Sequence, residues 1–188
     1  MKTLAIQVAE NNSEKLDVLM RFALAEMEHQ GIETELIRFD GPSIRRCSGC
    51  RKRLFGDNGY CAITGSPTDE CMLEMIGADA IILGATRRLS TLVEEVFALM
   101  DDAGLAVPQS VKHDMFHISK VVRENDEEVG IAAFDMNSRF LYAKNVSHGI
   151  GHTVRKDTDA SSEEIMRDLG FNLSLLLTNF KCMRAQNG

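Results

Sequence analysis

The chain has 188 residues with 44% apolar and 26% charged residues, and we expect it to fold as one domain over residues 1–188. Its formal net charge of −7 argues against general binding to nucleic acid or to an anionic membrane surface. No apolar run is long enough to span a bilayer, and the N-terminal residues show no signal-peptide pattern. We therefore expect a cytoplasmic protein.

The first elements alternate between strand and helix. A short apolar run predicts a strand over 3–9, and apolar residues at helical spacing predict a helix over 13–30. Gly31 is expected to end that helix. Residues 33–39 alternate between apolar and charged side chains, which is typical of a strand.

The alternation continues after a segment that contains three cysteines. A helix is predicted to begin at Pro67, and the segment 78–83, apolar except for Asp79, predicts a strand buried on both faces. A further helix is expected from Ser90 or Thr91. Strands and helices in this order predict a doubly wound parallel sheet with helices on both faces.

The second half departs from this order. Residues 129–134 and 140–146 read as two strands with no room for a helix between them, so we expect an antiparallel hairpin. Ser161 and Glu164 form a capping-box pattern that opens a helix to about Phe180. The predicted fold is a three-layer α/β/α sheet with a hairpin in the C-terminal half.

Three of the five cysteines, Cys47, Cys50 and Cys61, lie close together in a charged segment. The C-x2-C spacing suits a metal site, a redox dithiol or a structural pair. A zinc site needs a fourth ligand, which the sequence does not identify. Cys71 and Cys182 lie at apolar positions of predicted helices, where we expect small core residues.

The order of several motifs resembles that of a known family. Asn12-Ser13-Glu14-Lys15-Leu16 follows the first strand and is similar to the family's Asn-Thr-x-x-Leu helix start. Cys47-Ser48-Gly49-Cys50 is like its C-x-G-C, and the segment 77–84 is like its A-D-A-I-I-x-G. The segment 95–101 is similar to its L-K-x-F-x-D. Residues 3–102 thus resemble the flavodoxin-like NAD(P)H-dependent FMN reductases, and the iron–sulfur flavoproteins among them.

The resemblance implies a set of functional expectations. FMN would lie at the carboxyl ends of the parallel strands and accept a hydride from NAD(P)H. The family is usually dimeric or tetrameric, so a homodimer or homotetramer is expected. No catalytic acid or base can be named. The residues implied for phosphate binding are Asn11, Asn12 and Ser13, and those implied to border the flavin ring are Thr86, Arg87, Arg88 and Leu89.

Two departures from the family keep other functions open. Arg53 occupies the third cysteine position of the cluster-binding branch, and a cubane cluster needs four thiolates, so an iron–sulfur cluster is not expected. The first loop lacks the family's glycine and arginine and carries Glu10. The alternatives are a cofactor-free binding or regulatory protein on the same fold, and a thiol or metal redox centre at Cys47, Cys50 and Cys61.

Overall fold

The computed structural model describes residues 1–9, 14–40, 67–86, 89–102, 113, 129–136, 141–145 and 161–186. None of the helices in these ranges is both long and apolar enough to cross a membrane. In chain order, the elements are β1 (Lys2–Ala9), α1 (Glu14–His29), β2 (Glu33–Asp40), α2 (Pro67–Gly77), β3 (Ala80–Ala85), α3 (Leu89–Asp102), β4 (Gly130–Asp135), β5 (Leu141–Asn145) and α4 (Ser162–Gln186).

The strands form one five-stranded sheet in the order β2-β1-β3-β4-β5. β1 pairs in parallel with β2 and with β3. β4 is antiparallel to both β3 and β5, which confirms the predicted hairpin. We call the side of the sheet at which β1, β2 and β3 end the carboxyl edge, and the side at which they begin the amino edge. Both run across the strands and differ from the lateral edge of an outer strand.

The side chains of β1 divide between two separate cores. Leu4, Ile6 and Val8 pack with α2 and α3 on one face of the sheet. Ala5 and Ala9 pack with α1 and α4 on the other face. The protein therefore has three layers, helices–sheet–helices, and the predicted flavodoxin-like α/β fold is confirmed.

Helix α1 follows the predicted apolar spacing and ends where glycine allows it. Gly31 has a φ of 77°, a left-handed conformation that side chains with a Cβ rarely adopt. The N–H of Gly31 donates to the carbonyl of Glu28 at 2.9 Å, and that of Ile32 donates to the carbonyl of Met27 at 3.1 Å. This pair of bonds is a Schellman cap, and it returns the chain to the start of β2.

Helix α4 begins with the predicted capping box. The backbone N–H of Ser161 donates to the Glu164 carboxylate at 2.6 Å, and the N–H of Glu164 donates to the Ser161 hydroxyl at 3.2 Å. These bonds satisfy backbone donors that have no partner within the helix. The helix extends to Gln186, beyond the predicted end at Phe180.

Strand β3 lies two residues further along the chain than predicted, over Ala80–Ala85. The prediction ended the strand at Leu83 because Gly84 resembles a strand terminator. Gly84 instead remains in the ladder opposite Gln7. Its missing side chain makes room for the ends of two α1 side chains, which would lie 2.9 Å from a Cβ atom.

Helices α1 and α4 approach each other closely at Gly170. A Cβ atom on Gly170 would lie 2.3 Å from the carbonyl oxygen of Ala23, a backbone atom that cannot rotate away. The absence of a side chain is therefore a condition for this helix pair to pack on one face of the sheet.

We predict that Gly170→Ala lowers the free energy of unfolding by about 1 to 3 kcal/mol, because the helices must separate to admit the methyl group. Urea denaturation measures the change. Gly77→Ala is the matched control: a Cβ atom there meets nothing within 4 Å. It should leave stability unchanged or raise it by at most about 1 kcal/mol. Equal stability of G170A and the wild type would contradict this account of the packing.

Candidate functional site

The loops that follow β1 and β3 begin side by side. Val8 pairs with Ala85 near the ends of the two strands. The N–H of Thr86 donates to the carbonyl of Val8 at 3.4 Å. The last described residues at the ends of β1 and β3, Ala9 and Thr86, therefore lie at adjacent positions of the carboxyl edge.

The carboxyl ends of β1 and β3 lie at the point where the order of the strands reverses. The chain passes from β1 to β2 on one side and then to β3 on the other side of β1. In open α/β sheets, ligands bind in the crevice outside the strand ends at such a point. The strand order thus places the candidate site between the loops after β1 and β3.

Both ends of the predicted ring-binding segment are fixed to the sheet. Thr86 is bonded to β1, and Leu89 is buried in the core at 3% exposure. A Cβ atom on Gly130 of β4 would lie 2.8 Å from the Cβ of Leu89, so glycine allows this side chain to reach the sheet. Arg87 and Arg88 join these two anchors in sequence and lie outside the described residues.

Leu89 has a clear packing role, because it lies in the core formed with α2 and α3. Its predicted place at the border of a flavin ring stays a prediction. The predicted phosphate-binding residues Asn11, Asn12 and Ser13 lie outside the described residues, directly before the first residue of α1. The structure therefore fixes the strand and helix ends that flank these residues.

Asp17, near the start of α1, binds the guanidinium groups of both Arg21 and Arg38. Although burial alone would raise the pKa of Asp17, the hydrogen bonds from these two arginines lower it below its ordinary value. The charged side chains in the first turns of α1, Glu14, Lys15, Asp17 and Arg21, sum to zero, and Arg38 of β2 adds one positive charge beside them. The preceding segment carries Glu10, which offsets that charge and lies outside the described residues. The attraction for an anion here therefore comes from the positive end of the α1 dipole.

Gln7 is a polar residue of β1 that sequence reasoning did not select. It is 4% exposed, and its Oε1 atom has no hydrogen-bond partner among the described residues. Gln7 pairs with Gly84, whose absent side chain would point at Leu16 and Met20, so both residues face α1. An unpaired buried acceptor is costly. A polar residue within an apolar strand was the signal in the sequence that could have selected Gln7.

A second charged cluster lies at the amino edge, away from the candidate site. The Lys2 ammonium group binds the carboxylates of Glu35, at 2.6 Å, and Glu74. The backbone N–H of Lys2 donates to the Asp79 carboxylate at 3.0 Å. These contacts join β1, β2 and α2, and the hydrogen bonds that the ammonium group donates to Glu35 and Glu74 raise the pKa of Lys2 above its ordinary value. The cluster holds the layers together.

The predicted metal residues Cys47, Cys50 and Cys61 lie outside the described residues. Their segment follows Asp40, which pairs with Ala9 at the carboxyl edge. Within the described ranges, no group of three or more His, Cys, Asp or Glu side chains could hold a metal ion. The role of the three cysteines stays a prediction.

Comparison with known proteins indicates a relationship to flavoproteins. The chain is 31% identical, over 101 residues, to an iron-sulfur flavoprotein of Methanocaldococcus jannaschii. The match covers 54% of this chain and 51% of the relative, so the chain spans about half the length of the curated relative it matches. No protein-family model matches the chain, and no solved structure matches it.

Cys71 is confirmed as a core residue. Its thiol is fully buried, and burial, together with the charges of Glu35 and Glu74, raises its pKa to about 12. The thiolate is the reactive form of cysteine, so this residue is protected both by its position and by its charge state.

We predict that iodoacetamide at pH 8 leaves Cys71 unmodified in the native protein and alkylates it fully in urea. Peptide mass spectrometry of the two samples measures the modified fraction, and the denatured sample is the control for reagent activity. Native Cys71 alkylated as fast as the denatured residue would contradict the burial described above.

Proposed function

We propose that the protein binds FMN at the carboxyl edge of β1 and β3 and acts as an NAD(P)H-dependent oxidoreductase in the cytoplasm. One observation carries the proposal: the strand order places the loops after β1 and β3 together at the point where doubly wound sheets bind ligands. The similarity to a flavoprotein over half of the chain supports the choice of a flavin among possible ligands.

In this proposal, the phosphate group lies at the start of α1. The side chains of Asn11, Asn12 and Ser13 donate hydrogen bonds to it, and the positive end of the α1 dipole favours its negative charge. Asp17, which would otherwise repel a phosphate, is paired with Arg21 and Arg38. This pairing reduces the repulsion between the Asp17 carboxylate and the phosphate group.

The ring would lie beside the segment between Thr86 and Leu89. Thr86 is bonded to β1 and Leu89 packs against β4, so the described residues on both sides of this segment lie at the strand ends. Arg87 and Arg88 would bind a phosphate or carboxylate group through paired N–H donors, or stack on the ring. When bound, the flavin supplies hydride and electron transfer, while the protein binds, orients and tunes it.

We predict that replacing Arg87 and Arg88 by alanine weakens FMN binding about tenfold or more, because charge-assisted contacts to the ligand are lost. Titration of the purified protein with FMN, followed by flavin fluorescence, measures the dissociation constant. Arg167→Ala is the matched control, since Arg167 is a partly exposed arginine of α4 paired with Glu163. The R167A variant should bind FMN with the affinity of the wild type.

The same titration separates the proposal from its alternatives. A colourless protein that does not bind added FMN would overturn the proposal and favour a cofactor-free binding or regulatory role. A broad absorbance shoulder that disappears on oxidation would favour a cluster at the cysteine segment instead. Wild-type affinity of the R87A/R88A variant would show that the ring lies elsewhere.

A further inference from the structure

Strand β2 has one edge without a partner strand among the described residues. It lies at the end of the sheet order, so its N–H and C=O groups on one side pair with β1, and no described strand covers the other side. Such an edge is a template for pairing with another strand. What could pair there depends on the side chains beside it.

A groove runs along this edge between α1 and β2. Its volume is about 300 Å³, and residues of α1 and β2 line it. The strand contributes Thr34, Leu36 and Arg38, which lie on one face because they are two residues apart. The middle of the groove is apolar, with Leu24 and Ala25 of α1 beside Leu36.

The two ends of the groove carry opposite charges. At one end, Asp17 holds both guanidinium groups, with Arg21 Nε at 2.6 Å and Arg38 Nε at 2.8 Å from its oxygens. Two cations share one anion there, so this end is positive. At the other end, the Glu28 carboxylate accepts a hydrogen bond from the Thr34 hydroxyl, and this end is negative.

Because its two ends carry opposite charges, the groove is complementary to the same groove of a second copy that runs in the opposite direction. We propose that two copies of the chain associate through β2, whose free edges pair antiparallel around a twofold axis at Leu36. In that register, Arg38 lies opposite the partner's Thr34, and the positive end of each groove meets the negative end of the other. The two Leu36 side chains meet at the axis, and each five-stranded sheet continues into the other.

The alternative register does not preserve this match. A shift of the axis by one residue, to Ile37, keeps the same side chains on the α1 face but places Arg38 opposite the partner's Leu36. A guanidinium group would then face an apolar side chain, and the two Leu36 side chains would no longer lie opposite each other. The charge order of the groove therefore selects the register as well as the partner.

The spacing of the helices allows the association. Helix α1 lies over β1, with Leu36 of β2 on one side of it and Gly84 of β3 on the other. In the proposed dimer, three strand spacings, about 14 Å, separate the two copies of β1 and therefore the two α1 helices. Helices are about 10 Å wide, so a gap of a few ångströms remains between the two α1 helices. Long side chains such as Arg21 and Glu28 can cross this gap and meet their counterparts.

A charge-swap experiment tests the proposal by sedimentation equilibrium. The wild type should be a dimer. Glu28→Arg and Arg21→Glu should each raise the dimer dissociation constant about 30-fold, because both ends of the junction become repulsive. An equimolar mixture of E28R and R21E should form heterodimers of wild-type strength, since each end of that junction again joins opposite charges.

The matched control is the same charge reversal at an ion pair on another helix. Arg167 and Glu163 form an exposed ion pair within α4, and Arg167→Glu or Glu163→Arg should leave the dimer unchanged. Circular dichroism confirms folding of each variant. A monomeric wild type, undiminished dimerisation of E28R, or a mixture that remains monomeric would each overturn the proposal. The experiment needs no flavin, so its outcome is independent of the proposed FMN site.

Discussion

β1 pairs in parallel with β2 on one side and with β3 on the other, and this double pairing is the constraint on which the rest of the structure depends. A strand with neighbours on both sides and helices on both faces must bury nearly every side chain. The side chains of β1 alternate between the two faces of the sheet, so that Leu4 packs against α2 and α3 and Ala5 packs against α1 and α4. The pairing also brings the ends of β1 and β3 together and creates the crevice that the proposed function needs.

The amino and carboxyl edges of the sheet, where the parallel strands begin and end, carry different chemical groups. At the amino edge, the Lys2 ammonium group binds the carboxylates of Glu35 and Glu74 and joins β1, β2 and α2. At the carboxyl edge, the ends of β1 and β3 lie side by side next to the first turn of α1, whose dipole favours an anion. The amino edge is therefore an ion-pair cluster within the protein, whereas the carboxyl edge is the place where the proposed ligand would bind.

The sequence predicted the local structure well because the relevant signals are local. The apolar spacing of α1, the glycine at its end and the capping box of α4 each act within a few residues. The direction of β4 relative to β3 and the close contact of Gly170 with Ala23 depend on distant parts of the chain, so no local pattern predicted them. Thr86 and Leu89 were selected by resemblance, and their anchoring on β1 and β4 became visible only in the fold.

The central claim is that a flavin binds between the loops after β1 and β3. Amide hydrogen exchange of the purified protein, with and without FMN, tests it directly because protection can be assigned to segments. The account predicts slower exchange on FMN addition at residues 10–16 and 86–92, with no change around Lys2 and Asp79 at the amino edge. Unchanged exchange at both loops, or protection confined to the α1–β2 groove, would contradict it.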